Sequence, residues 1–258
     1  MTPLTSTAST DKPKRGAGLE RRAIAPKTRP LPGWSGARLI LTIAAKDLRS
    51  ELRSKDTLNA SLSFAVVILL LFSFAFDMSP EQVREMGGGL LWLVFMFAGA
   101  LILNRSFSRE LPNDCLEALL ASPVTGAQLW AGKALANYVL VLAVEAACLP
   151  VFSVFYNVSL LPQLPRLAVV MLLGTWALTV IGTVFSAMTV NLRLRELMLP
   201  TLLYPMLIPA LLAVIQLTGA ILSPDSTVDN TIWYRLLVAY DVIFTLLAAA
   251  LVEILLVG

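Results

Sequence analysis

Whatever chemistry this chain does, it does without histidine, because none of its 258 residues is one. That removes histidine-based zinc proteases, rhomboid-type and Ser-His-Asp hydrolases, His-ligated haem and most zinc sites. Its two cysteines, Cys115 and Cys148, stand too far apart for a CxxC redox motif and form no cluster. The stretch from Gly126 to Lys133 invites a phosphate-loop reading, which fails on spacing. Five residues separate Gly126 from Gly132 where four are needed, and Ala134 replaces the Ser or Thr that would hold magnesium. No other glycine-rich stretch offers a nucleotide cradle, so any ATP use enters through another chain. What remains is a carboxyl, Glu145, inside a long apolar run, and a group of Pro200, Tyr204, Pro205 and Pro209 inside another. Together they are the candidates for a transport pathway. No metal site and no catalytic set is expected.

The elements that must position these residues are set by composition. The chain is 57% hydrophobic and 14% charged, with mean hydropathy +0.76. Soluble domains are about 45–50% apolar and about 25% charged. The apolar residues come in runs without alternation, long enough as helices to cross about 30 Å of hydrocarbon. Six spans are expected, at 57–76, 87–103, 134–155, 167–190, 197–222 and 236–257. The fold class is an all-α membrane protein. Only Glu145, Asp241 and Glu253 carry charge within the spans.

Orientation follows from lysine and arginine. The segment up to Asp56 holds twelve of the 20 basic residues, loop 104–133 holds three and loop 191–196 two, whereas the alternate loops hold only Arg84, Arg166 and Arg235. The 17-to-3 division puts both termini in the cytoplasm. Residues 1–32, rich in proline and basic groups, read as a disordered cytoplasmic tail near anionic lipid, since no apolar run follows the early charges as in a signal peptide. Residues 33–258 read as one membrane domain. Leu41, Ala45, Leu48 and Leu52 share one helical face, with Lys46, Arg49, Glu51 and Arg53 elsewhere. This predicts an amphipathic helix lying in the interface before the first span.

Loop 104–133 carries two capping boxes. Asp114 with Glu117 starts a short helix, Cys115 to Ala121, with Leu116, Leu119 and Leu120 on one side, and Ser122-Pro123 stops it. Thr125 with Gln128 starts the helix that becomes the third span. An apolar face outside the bilayer needs a cover, either this chain's own helices or a second, soluble protein.

Inside the membrane, Glu145 costs a few kcal/mol at least. It should be neutral, face other helices or line a wet cavity, acting as a structural hydrogen-bond partner or in transport. Asp241 and Glu253, nearer the ends of the sixth span, can lean toward water. Pro200, Pro205 and Pro209 either break the fifth span around a pathway or kink it for packing. Gly174, Gly182 and Ser186 form a small-residue stripe for close helix approach.

The ordered set then resembles a known family. An interfacial basic helix with Lys46-Asp47-Leu48-Arg49-Ser50-Glu51-Leu52-Arg53 is followed by Asn59 to Phe76 and by Trp92 to Phe107. Next come Cys115 to Lys133, with its LEALLASP and GK, and Leu199 to Pro209, LPTLLYPMLIP. Over roughly residues 35–258 this is similar to the membrane subunits of type-2 ABC exporters. More narrowly, it resembles the haem-exporter permease family of the cytochrome c maturation system, cytochrome c maturation protein B. The basic, proline-rich start departs from the family's usual short one.

The resemblance implies a bacterial inner-membrane permease, not an enzyme, present as a homodimer with two copies of a soluble ATPase subunit. It implies a haem-handling membrane protein and a periplasmic haem chaperone as further partners, with membrane lipid around the chain and no nucleic acid. The resemblance implies that the permease exports haem or powers release of the haem chaperone, with haem the implied substrate, no cofactor bound covalently, and ATP acting only through the partner subunit. Coupling to the ATPase falls on Asp114, Leu116, Glu117, Leu119 and Leu120, flanked by Arg105 and Glu110. Two other readings stay open: a permease of the same type for a lipid or drug, and a scaffold of the haem-delivery complex that moves nothing itself. The missing histidines bear on the choice, because a haem conduit here has only aromatics, Met or Tyr to offer.

Overall fold

A computed structural model describes residues 36–76, 79–107, 125–189, 194–223 and 230–257. Among the described residues the chain is helical apart from turns, with no strand. The helices are α1 (Gly36–Ser54), α2 (Asp56–Ala75), α3 (Pro80–Ser106), α4 (Gly126–Phe155), α5 (Leu164–Thr189), α6 (Arg195–Leu222) and α7 (Thr231–Val257). A 3-10 turn, Leu161–Gln163, leads into α5. Helices α2 to α7 are each long and apolar enough to cross a membrane, which makes this a multi-pass membrane protein with the six spans read from the sequence. The expected tail 1–32 and the short helix carrying Asp114, Leu116, Glu117, Leu119 and Leu120 lie outside the described residues, as do Arg109 and Glu110.

Helix starts follow side-chain caps. Thr125 and Gln128 form the expected capping box, each side chain bonded to the other's backbone N–H at 3.2 Å. An equivalent box, Ser79 with Gln82, starts α3 at Pro80, ahead of the apolar run that begins near Gly87. Between α1 and α2 the chain turns sharply at Lys55, which adopts a left-handed φ of 58°. Glu51 makes that turn possible. Its Oε1 accepts from the backbone N–H of Thr57 at 3.0 Å and of Leu58 at 3.3 Å, capping α2 from the preceding helix.

Helices α3 and α5 are the most buried spans and α2 the least. Helix α3 packs on α2, α4, α5 and α6, and α5 packs on α3, α4, α6 and α7. Lipid tails are as apolar as leucine, so close approach and polar ties hold such a bundle. The small-residue stripe on α5 does this work as expected. A Cβ at Gly174 would run into Trp92 and Val214, and one at Gly182 into Leu103. Ser186 donates its hydroxyl to the Leu103 carbonyl at 2.7 Å. Trp92 Nε1 donates to Thr218 Oγ1 at 2.9 Å, tying α3 to α6. Tyr240 Oη donates to the Met206 carbonyl at 2.7 Å, tying α7 to α6.

Helix α6 runs unbroken through Pro200, Pro205 and Pro209. Helix α1 packs on α4 through Ile43 and Ala44, which are buried, while Leu41 and Leu52 of the expected apolar face stay exposed. The protein-facing side of α1 is therefore not its leucine side.

Candidate functional site

A cleft of about 940 Å³ opens between α1, α2, α3 and α6, at the end of the bundle that carries α1. Two of the sequence candidates, Pro200 and Tyr204, line it. Its apolar wall includes Phe64 from α2 and Phe97 from α3. Ring centroids lie 6.3 Å apart for Phe64 and Phe97, and 5.6 Å apart for Phe97 and Tyr204, the second pair nearly perpendicular. Such spacings are favourable aromatic geometries. Polar groups gather where the helices end: Ser50, Ser54, Asp56, Asn104, Arg105 and Glu196. Among the described residues, the buried Oη of Tyr204 and Oδ1 of Asn104 have no hydrogen-bond partner. Buried polar atoms are normally paired, so these two residues stand out in the cleft lining. Volume, apolar walls and a few convergent polar groups match small-molecule sites of about 300–1,000 Å³.

Glu145 is not part of this cleft. It is fully buried on α4, and Thr175 Oγ1 on α5 lies 2.7 Å from each of its carboxyl oxygens. At 1.5 Å per residue, Glu145, Thr175 and Asp241 each lie about 15–17 Å from the helix ends opposite α1, which puts them at one depth. Trp176 Nε1 donates to Thr245 Oγ1 at 3.0 Å and joins α5 to α7 at that level, with the Tyr138 ring edge-on to Trp176 at 5.3 Å. Asp241 departs from the sequence reading. Helix α7 starts at Thr231, well before the apolar run, so Asp241 is deep in the span and buried, with neither oxygen partnered among the described residues. Glu253 is exposed. Pro205 and Pro209 lie on the exposed side of α6.

A third polar centre joins α1, α3, α4 and α5 near Lys133, the residue that ended the rejected phosphate loop. Lys133 is buried and donates to Asp47 Oδ2 at 3.2 Å and to the Ser106 carbonyl at 3.0 Å. Its ammonium sits 4.8 Å from the centre of the Phe107 ring, within cation–π range. Asn137 donates to Ser106 Oγ at 2.9 Å and to Thr183 Oγ1 at 3.0 Å. Gly132 lets α1 approach, since a Cβ there would lie 2.7 Å from that of Ile43. The described residues on either side of 108–124, Phe107 and the start of α4, are thus anchored to α1 through one lysine.

The sequence reading missed Phe64, Phe97 and Asn104, which lie on helices far apart in sequence and share no motif. It placed Arg105 only as a flank of the loop. Among the described residues no group of His, Cys, Asp and Glu has metal-binding geometry. Cys148 is buried and free.

Residues 38–254 match the family described as CcmB protein. The chain is similar to the Heme exporter protein B of Rhodobacter capsulatus, at 30% identity over 66% of this chain and 78% of that relative. It is similar to the Heme exporter protein B of Paracoccus denitrificans at 29% over 65% and 76% of the two chains. It is also similar to that of Pseudomonas aeruginosa, at 27% over 81% of this chain and 93% of the relative. With a match that runs from α1 through α7, this chain belongs to the CcmB protein family.

Proposed function

We propose that this chain is the membrane subunit of an ATP-driven exporter that supplies haem for c-type cytochrome assembly. The observation that carries the reading is the family match over 38–254, whose relatives bear the name Heme exporter protein B along most of their length. The chain has no phosphate loop, so energy comes from a separate soluble ABC ATPase. Two copies of each subunit make the transporter. It sits in the bacterial inner membrane with both termini cytoplasmic, and α1 lies in the cytoplasmic interface behind the basic tail 1–32. The helix 115–121, with Asp114, Leu116, Glu117, Leu119 and Leu120, is the contact through which the ATPase acts. A haem-handling membrane protein and a periplasmic haem chaperone receive the product. The cleft containing Pro200 and Tyr204 is where cargo first meets the chain, and Glu145 holds α4 to α5 away from it.

A strain lacking this chain tests the reading. Covalently haem-loaded c-type cytochromes should disappear and return on expression of the chain, while b-type cytochromes persist. Normal c-type cytochromes in the deletion strain would refute it.

A further inference from the structure

If the cargo is haem, as the proposed function holds, the cleft must grip a planar apolar macrocycle with an iron at its centre and carboxylates along one edge. Haem proteins usually hold iron through His, Cys, Met or Tyr. Histidine is absent from the chain, Cys148 is buried away from the cleft, and no methionine lines it. Of these side chains only Tyr204 is present, with a hydroxyl that is buried and without a partner among the described residues. Phe64 and Phe97 stand beside it and offer ring faces and edges for a flat apolar body.

We propose that the cleft is a haem site in which Tyr204 is an axial ligand of ferric iron. As the macrocycle seats, the Tyr204 side chain turns its oxygen from the buried position it holds in the structure into the cleft; the phenol gives its proton to water, and its oxygen donates an electron pair to iron in place of a weakly bound water. The iron stays ferric throughout. The macrocycle lies against Phe64 and Phe97. Arg105 meets a propionate at the polar end, and the orphaned Asn104 Oδ1 accepts from the protonated one. Asp56 and Glu196 stand at the same end and oppose a second negative charge. The site thus holds its cargo loosely enough to release it, as a transport site must.

The test is a ferric haem titration of the whole complex, this chain with its ATPase, in lipid nanodiscs, followed by absorption and resonance Raman spectroscopy. Wild type should show an iron–phenolate signature. Tyr204→Phe should lose that signature and bind haem at least tenfold more weakly. Tyr204→His should replace it with an imidazole-ligated spectrum, which shows that a folded cleft presents position 204 to iron. Tyr138→Phe, which alters a tyrosine outside the cleft, should leave the spectrum as it was. A wild-type complex without phenolate ligation, or identical spectra for wild type, Tyr204→Phe and Tyr204→His, overturns the assignment. ATP-driven haem movement measured in the same preparations separates the two claims. Movement by wild type with no effect at position 204 refutes the site alone. A phenolate-bound haem that ATP never moves refutes the exporter reading and leaves the site standing.

Discussion

Lys133 Nζ lies 3.2 Å from Asp47 Oδ2, so one buried cation ties the helix before the first span to the start of the third. Asp47 also pairs with Lys46 at 3.1 Å and keeps about a fifth of its side chain exposed, whereas Lys133 keeps almost none. The ammonium is therefore the group that depends on the pair.

Breaking a buried pair by removing one partner strands a charge, which costs about 3–5 kcal/mol when nothing else relieves it. The Ser106 carbonyl relieves part of that cost here. Asp47→Ala should lower stability by about 2 kcal/mol, and adding Lys133→Met should restore much of it, because the stranded charge is then gone. Thermal unfolding of the purified chain in detergent reads both. Losses that simply add would mean the two residues do not act on each other.

Glu145 and Thr175 form the second polar tie. Glu145→Gln keeps shape and hydrogen bonding and should be mild. Thr175→Val leaves the carboxyl buried without its donor and should cost about 1–3 kcal/mol. Glu145→Lys should be severe, since lysine at the centre of a membrane helix costs about 2.5–3.5 kcal/mol on insertion scales. Expression level and unfolding temperature check the order. A harmless lysine would show that the position faces open water.

Two glycines on neighbouring helices make a packing test. A methyl at Gly174 meets Trp92 and Val214, whereas one at Gly89 meets nothing within 4 Å. Gly174→Ala should destabilise by about 1–3 kcal/mol through overpacking. Gly89→Ala should be neutral or should stabilise by up to about 1 kcal/mol through helix propensity. Equal effects in the unfolding assay would contradict the α3–α5 approach described above.

The six spans were legible because each is a long apolar run, and length alone decides the matter in a membrane. Their polar ends were less so. Helix α3 starts at Pro80 because Ser79 and Gln82 cap it, and α7 starts at Thr231, so Asp241 is deeper than a count from the apolar run implies. The protein-facing side of α1 was not legible for a related reason. Periodicity finds the leucines, but Ile43, Ala44 and the polar Asp47 and Glu51 are what the protein side uses. Lys133 looked like a failed nucleotide motif because its real partner, Asp47, lies on another helix. Pro200 and Tyr204 could be picked out as unusual residues in a span. The cleft they line could not, because Phe64, Phe97 and Asn104 join it only once the bundle is packed.

Orientation has its own check. Glu81 lies in the first turn of α3, at the end of the bundle away from α1. A cysteine placed there should react with an impermeant thiol reagent added outside intact spheroplasts. Labelling only after the membrane is opened would reverse the proposed topology.

The most direct measurement concerns how energy enters. Leu119 and Leu120, between α3 and α4 in the sequence, are proposed to dock into a groove of the soluble ATPase, a helix-in-groove contact. Aspartate at both positions would bury unpaired charge there, which is strongly disfavoured. Inverted vesicles carrying the wild-type complex should take up haem when ATP is added. Vesicles with Leu119→Asp/Leu120→Asp should retain the folded membrane chain, lose the co-purifying ATPase and take up no haem above the ATP-free level. Wild-type ATPase retention and haem uptake by the double variant would contradict the account.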